Sequence, residues 1–253
     1  MSRESIKRQG TSYTENTATC TANTGSSVNI VMNMDKTKIL WSARPELKER
    51  EDSIIYEISI RDFTISGNSG VTATKKGKYL GMVETGTTNG SAKTGIDHLK
   101  ELGVTHVQIM PFYDFATKKN GKTGEIYNWG YDPVNYNVPE ERFSQTPEDY
   151  EARIKEVKTM VDEYHKNGIR VVMDVVYNHT FWDEMFKDIT SKYYIYLNGK
   201  MANASGCGNG VDTSNAMVSR FIRDSLEYWA EEYNLDGFRF DLMAIYKVDA
   251  VNG

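Results

Sequence analysis

Cysteine is almost missing from this chain, which has only Cys20 and Cys207. Two cysteines make neither a zinc-type cluster nor a disulfide framework, so the fold does not depend on an oxidising compartment. One bridge between them is open, and two free thiols is the better reading. A run of about 20 apolar residues is also lacking, which excludes a membrane-spanning helix. There is no basic excess: the net charge of −5 argues against electrostatic binding of nucleic acid. Arg3, Lys7 and Arg8 have no apolar stretch behind them. A secretory signal peptide is therefore not expected, and a cytoplasmic location is, with a secreted parent left open.

What is present is ordinary globular material. With 39% hydrophobic residues in a chain of 253, there is enough to bury a real core. The length equals that of a complete eight-stranded α/β barrel, about 250 residues, so strands must be counted before size is trusted. Sixteen tyrosines and four tryptophans suit core packing and equally a sugar-stacking cleft.

Residues 1–52 read as a flexible N-terminal segment and linker. Threonines crowd residues 1–26, 28–34 suits a short strand, and 41–51 is polar and interrupted by Pro45. From 53 to 253 the pattern is regular. Strands are predicted at 54–60, 104–110, 169–176 and 237–241, and helices at 91–102, 146–167 and 214–233. Gly103 and Gly168 close two of the helices, and Thr146-Pro147 opens the second as N-cap and first position. Long loops are predicted at 66–89, 112–145 and 177–212. The order is repeated βαβ, which implies a parallel sheet with right-handed crossovers. Long loops follow the strands and short ones precede them. A barrel with functional loops at the carboxyl strand ends fits this, and a doubly wound sheet shares the asymmetry. No glycine-rich phosphate loop follows the first strand.

The informative polar residues lie at strand ends. Asp174 interrupts an apolar run, and a carboxylate there needs a partner or hydrogen bonds. Asn178 and His179 follow at the end of the same strand. Arg239 and Asp241, two apart on a strand, project to one face while Phe238 and Phe240 take the other. A guanidinium beside a carboxylate favours the charged form, as a glycosidase nucleophile requires. A plain ion pair fits the same spacing. The stretch Tyr127-Asn128-Trp129-Gly130-Tyr131-Asp132-Pro133 combines stacking rings with amide and carboxyl groups, which suits sugars and also a packed loop.

Three of these segments carry a resemblance. Asp174-Val175-Val176-Tyr177-Asn178-His179-Thr180 and Gly237-Phe238-Arg239-Phe240-Asp241-Leu242-Met243-Ala244 resemble two signatures of the α-amylase superfamily, glycoside hydrolase family 13. Residues 127–133 are similar to the YNWGYDP hallmark of its type I pullulanase branch. The resemblance covers about 53–253. It implies a (β/α)8 TIM barrel that hydrolyses α-1,6 branch linkages in pullulan, amylopectin and limit dextrins. By the same resemblance Asp241 is the nucleophile and Arg239 supports and orients it. His179, Tyr131, Trp129 and Asn178 would bind the α-glucan, with Tyr131 stacking under the ring at the cleavage site. Asp174 would be a structural support. No cofactor is required; calcium at Asn178 is optional, and no metal site is assigned.

The resemblance also sets an expectation of incompleteness. The family's general acid, a Glu on the next strand, and its later Asp have no counterpart between Asp241 and Gly253. Only about four strands and three helices of the barrel are therefore expected. The chain would be the front part of a catalytic domain, inactive alone and paired with a complementing C-terminal half. The alternatives are a non-catalytic α-glucan-binding fragment, or an isoamylase or α-1,4-amylase specificity.

Overall fold

The computed structural model describes residues 5–7, 27–29, 32–116 and 127–248. Near the start, β1 (Ser5–Lys7) pairs antiparallel with β2 (Ser27–Asn29). Of the strand expected at 28–34, β2 covers the first two positions, and residues 30 and 31 lie outside the described residues. The rest of the predicted tail, with Cys20, lies outside the described residues.

From Met32 on, the predicted linker is tied down. Met32 is buried, and the backbone N–H of Ser42 donates to Asp162 Oδ1 at 2.7 Å. Lys158 reaches Thr37 Oγ1 at 3.1 Å, and Arg44 Nε lies 3.3 Å from Asp236 Oδ1. Polar composition alone hid this, because these anchors are all long-range.

The folded unit then runs in order. It begins with β3 (Ile55–Ile58), α1 (Ile60–Thr64), a small hairpin of β4 (Thr88–Asn89) and β5 (Ala92–Lys93), α2 (Gly95–Leu102) and β6 (His106–Ile109). There follow β7 (Tyr113–Phe115), β8 (Pro133–Pro139), α3 (Tyr150–Lys166) and β9 (Arg170–Val175). The last elements are α4 (Glu184–Lys187), β10 (Tyr196–Leu197), β11 (Lys200–Met201), α5 (Ala216–Glu232) and β12 (Gly237–Phe240).

Four strands form one parallel sheet in the order β12-β9-β6-β3. Ile58 sits across from Ile109, Ile109 across from Met173, and Asp174 across from Arg239. These are the four predicted strands. Among the described residues β3 and β12 are sheet edges, and no closed barrel forms. Ile55, on the β3 edge, is 57% exposed. The predicted stripes face a common core: Ile96 and Leu99 of α2, Ile154, Val157, Val161 and Tyr164 of α3, and Val218, Ile222 and Trp229 of α5. They pack with Val107, Ile109, Val171 and Val175 of the sheet.

Local rules explain most of the boundaries. Gly103, at φ 74°, ends α2 in the left-handed conformation that glycine adopts without strain. The cap of α3 differs from expectation: Asp149, not Thr146, accepts from the N–H of Ala152, at 2.9 Å. Buried Tyr150 fixes where that helix enters the core, so the nearer acceptor takes the role. The first strand stops at Ile58 because Ser59 caps α1 through the N–H of Asp62.

The loops predicted at 112–145 and 177–212 carry structure of their own. The first contains the antiparallel pair β7–β8, with register shifts at Asp114. Its strands are far apart in sequence, and β8 both starts and ends on proline, which masks a strand pattern. The second holds α4 and the β10–β11 hairpin.

Candidate active site

The site forms where β9 and β12 run side by side. Their register sets Arg239 against Asp174, and both point to the face away from Phe238 and Phe240, which pack on the core. Arg239 Nη1 donates to Asp174 Oδ1 at 3.1 Å and Oδ2 at 3.0 Å, and to Asp241 Oδ1 at 2.9 Å. One guanidinium thus bridges two carboxylates. The phenol of Tyr131 donates to Asp174 Oδ2 at 2.6 Å, bringing the β7–β8 loop onto the sheet.

The backbone of Asp241 is held from two sides. Its N–H donates to Val175 O at 2.9 Å, and Asn178 Nδ2 donates to its carbonyl at 3.1 Å. Leu242 follows at φ 49°, a left-handed conformation rare for a branched residue. The chain therefore turns sharply after Asp241 and leaves its carboxylate, 22% exposed, at the strand end.

Burial dominates the electrostatics. It pushes the Asp174 carboxyl above the ordinary range, and the charge of Asp241 adds to that, while Tyr131 and Arg239 pull it back. The Tyr131 phenol is raised by burial and by its bond to Asp174, so it stays a proton donor. Burial opposes the charge on Arg239, but contact with Asp174 more than compensates and raises it.

The remaining candidates separate into two groups. Asn178 and His179 are buried beneath the site, with Asn178 Oδ1 at 2.6 Å from His179 Nδ1. Tyr136 donates to the His179 carbonyl at 2.7 Å. Trp129 is not part of the Asp174 cluster. It is 59% exposed and its indole N–H donates to Tyr127 Oη at 2.8 Å. Tyr127 in turn donates to Asp62 Oδ2 at 2.5 Å, so this ring is oriented from α1. Gly130, between the two groups, has φ 98°, and a Cβ there would lie 2.5 Å from Pro111 O. Only glycine lets the loop turn so close to the end of β6.

Asn178 is the one residue offered for calcium. Its amide nitrogen donates to Asp241 O and its oxygen pairs with His179 Nδ1; calcium takes six to eight oxygen ligands, of which this amide would be one. Elsewhere, Asp114, Glu140 and Glu141 bring carboxylate oxygens within 4.8 Å of one another. Glu140 is held there by Arg142 and by the N–H of Phe115, and Asp114 by Asn135.

The sequence matches the family described as "Alpha amylase, catalytic domain" over residues 55–204. The chain belongs to the α-amylase family of glycoside hydrolases. Within that family it is related to pullulanases and isoamylases. It is 40% identical over 228 residues to the pullulanase of Bacillus subtilis (strain 168), covering 88% of this chain and 31% of that protein. It is 37% identical to chloroplastic isoamylase 3 of Oryza sativa subsp. japonica, covering 79% of this chain and 26% of that protein. A pullulanase of Anoxybacillus sp. LM18-11, solved with maltotetraose, superposes with a TM-score of 0.83 at 42% identity. That match covers 90% of this chain and 34% of that one. The chain spans about a third of the length of these α-amylase-family relatives.

Two contributors to the site were not foreseen from sequence. Tyr246, buried, accepts from the N–H of Tyr177 at 2.8 Å and pins the segment after Asp241 back onto the end of β9. Asp62 orients the Tyr127–Trp129 pair. For Asp62 a signal existed, a carboxylate beyond a strand end. For Tyr246 none did, because its role is set by the turn at Leu242.

Proposed function

We propose that this chain carries the nucleophile-bearing part of a debranching glycoside hydrolase that cleaves α-1,6 linkages in pullulan, amylopectin and limit dextrins by a retaining mechanism. The observation that carries this is Asp241, held at a strand end by a guanidinium shared with buried Asp174. In the proposed step the Asp241 carboxylate attacks the anomeric carbon and the glycosidic bond breaks. The leaving oxygen takes a proton from a general acid, and water later releases the sugar. Arg239 keeps the attacking carboxylate oriented. Asp174 is not available as the acid, because it is fully buried and bonded to both Arg239 and Tyr131. Asn178 and His179 support the floor of the site, and no cofactor enters the reaction.

On this reading the chain alone binds glucan and does not hydrolyse it. Purified chain is expected to release no reducing ends from pullulan. Release that disappears in Asp241→Asn would overturn this part of the reading.

Binding is tested separately. Affinity electrophoresis in pullulan is expected to show retardation of the wild-type chain. Trp129→Ala should weaken it by roughly tenfold, the scale of losing one exposed stacking ring. Equal mobility with and without pullulan would remove the glucan assignment. Isoamylase specificity is the second reading, favoured by the 37% identity to the rice isoamylase. Preference for amylopectin over pullulan in the same assay would select it.

A further inference from the structure

A second hollow, of about 210 Å³, lies beside α1 and the β7–β8 loop, away from Asp241. Arg61, Lys76, Lys78 and Arg142 line it together with Asn128 and Phe115, and among the described residues no carboxylate does. We propose that this hollow is a binding site for a phosphate-type oxyanion, either free phosphate or a phosphate ester on a sugar.

The basic groups come from three separate stretches of chain and are built in. Lys76 Nζ donates to the carbonyls of Ser66 at 3.0 Å and Gly67 at 2.8 Å. Lys78 Nζ donates to the carbonyl of Arg142 at 2.6 Å. Gly77 between them is buried, and its N–H donates to Thr64 Oγ1 at 2.7 Å. An ammonium has three donors, so Lys76 keeps one and Lys78 two beyond these carbonyl bonds. Neither lysine forms an ion pair with a carboxylate among the described residues. Burial pulls Lys78 below its ordinary range against the charges of Glu156 and Glu140, a cost that a bound anion would offset.

Arg61 is balanced by its neighbour Asp62, with Nη1 3.0 Å from Oδ1, and Arg142 by an acid on the protein side. Glu140 is 1% exposed and bonds Arg142 Nε at 2.8 Å from behind. Arg142 stacks over Phe115, 4.4 Å from the ring centroid, which fixes the plane of its donors. Rigid guanidinium donors with nearby ammonium charges are what a tetrahedral oxyanion recognises. Asn128 belongs to the loop of Trp129 and Tyr131, so the hollow borders the proposed glucan surface. The anion site stands without the glucan reading, since its test uses no glucan.

The test is titration of the whole chain with inorganic phosphate, glucose 6-phosphate and glucose at low ionic strength, followed by calorimetry and 31P NMR. Saturable binding of a phosphate species with Kd at or below about 1 mM is expected, with none for glucose. Tighter binding of glucose 6-phosphate would identify the ester as the source, and tighter inorganic phosphate the free ion. Raising the salt from about 20 to 200 mM should weaken binding several-fold, a readout that needs no variant. The double variant Lys76→Gln/Lys78→Gln should weaken it at least about tenfold; Lys76→Gln alone, on an outer turn, covers the case in which the double variant does not fold. No saturation up to about 10 mM, unchanged binding in the variants, or indifference to salt would each overturn the site.

Discussion

Replacing Trp229 with alanine is expected to lower the unfolding free energy by about 3–5 kcal/mol, the range for large aromatic deletions in a core. The indole has no exposed surface. It stands edge-on to Phe112 with ring centroids 5.6 Å apart and lies 4.4 Å from Tyr233. Its N–H donates to Tyr136 O at 2.9 Å. Truncation therefore leaves a cavity and an unsatisfied carbonyl together, and the flanking rings are too rigid to fill it. In a domain of this size the midpoint of thermal unfolding should fall by roughly 10 °C. Urea unfolding measures it directly, and a loss under about 1 kcal/mol would contradict this picture of a closed aromatic centre.

Arg239→Met should destabilise the chain by about 2–3 kcal/mol at neutral pH. That lies below the ~3–5 kcal/mol of a fully buried pair, because Arg239 is 43% exposed and partly screened. The loss comes from Asp174, which has no exposed side chain and would keep only the Tyr131 hydrogen bond. The pH dependence has a definite sign. The folded-state carboxyl of Asp174 already sits above its ordinary value of 3.8, and removing the guanidinium raises it further. Between those two values the folded state binds more protons than the unfolded one, so stability falls as pH rises through that window. The variant should therefore close on the wild type as the pH drops toward the ordinary carboxylate range. Paired denaturation curves at neutral and acid pH measure this, and a gap that widens on acidification would refute the role given to Asp174.

Much of the fold was legible because its signals are local. An apolar run marked β9, spacing marked the buried faces of α2, α3 and α5, and a left-handed glycine marked the end of α2. The pair Arg239 and Asp241 was visible from the alternation of a strand. The β7–β8 pairing was not, because its partners are separated by a long insertion and β8 begins and ends on proline. Nor were the anchors of residues 32–52, which depend on Asp162 and Asp236 more than a hundred positions away.

From the chain's own chemistry came the order of strands and helices, the family signatures, and the identity of the carboxylate and guanidinium at the end of β12. These follow from side-chain periodicity and residue type, which need no knowledge of what lies across the sheet. Only the folded arrangement made Asp174 a shared partner of Arg239 and Tyr131, buried Asn178 and His179 beneath Asp241, and turned Trp129 outward on Tyr127 and Asp62. The physical reason is that charge pairing and burial are set by neighbours in space. In a parallel sheet those neighbours arrive through crossovers tens of residues long, which no local pattern records.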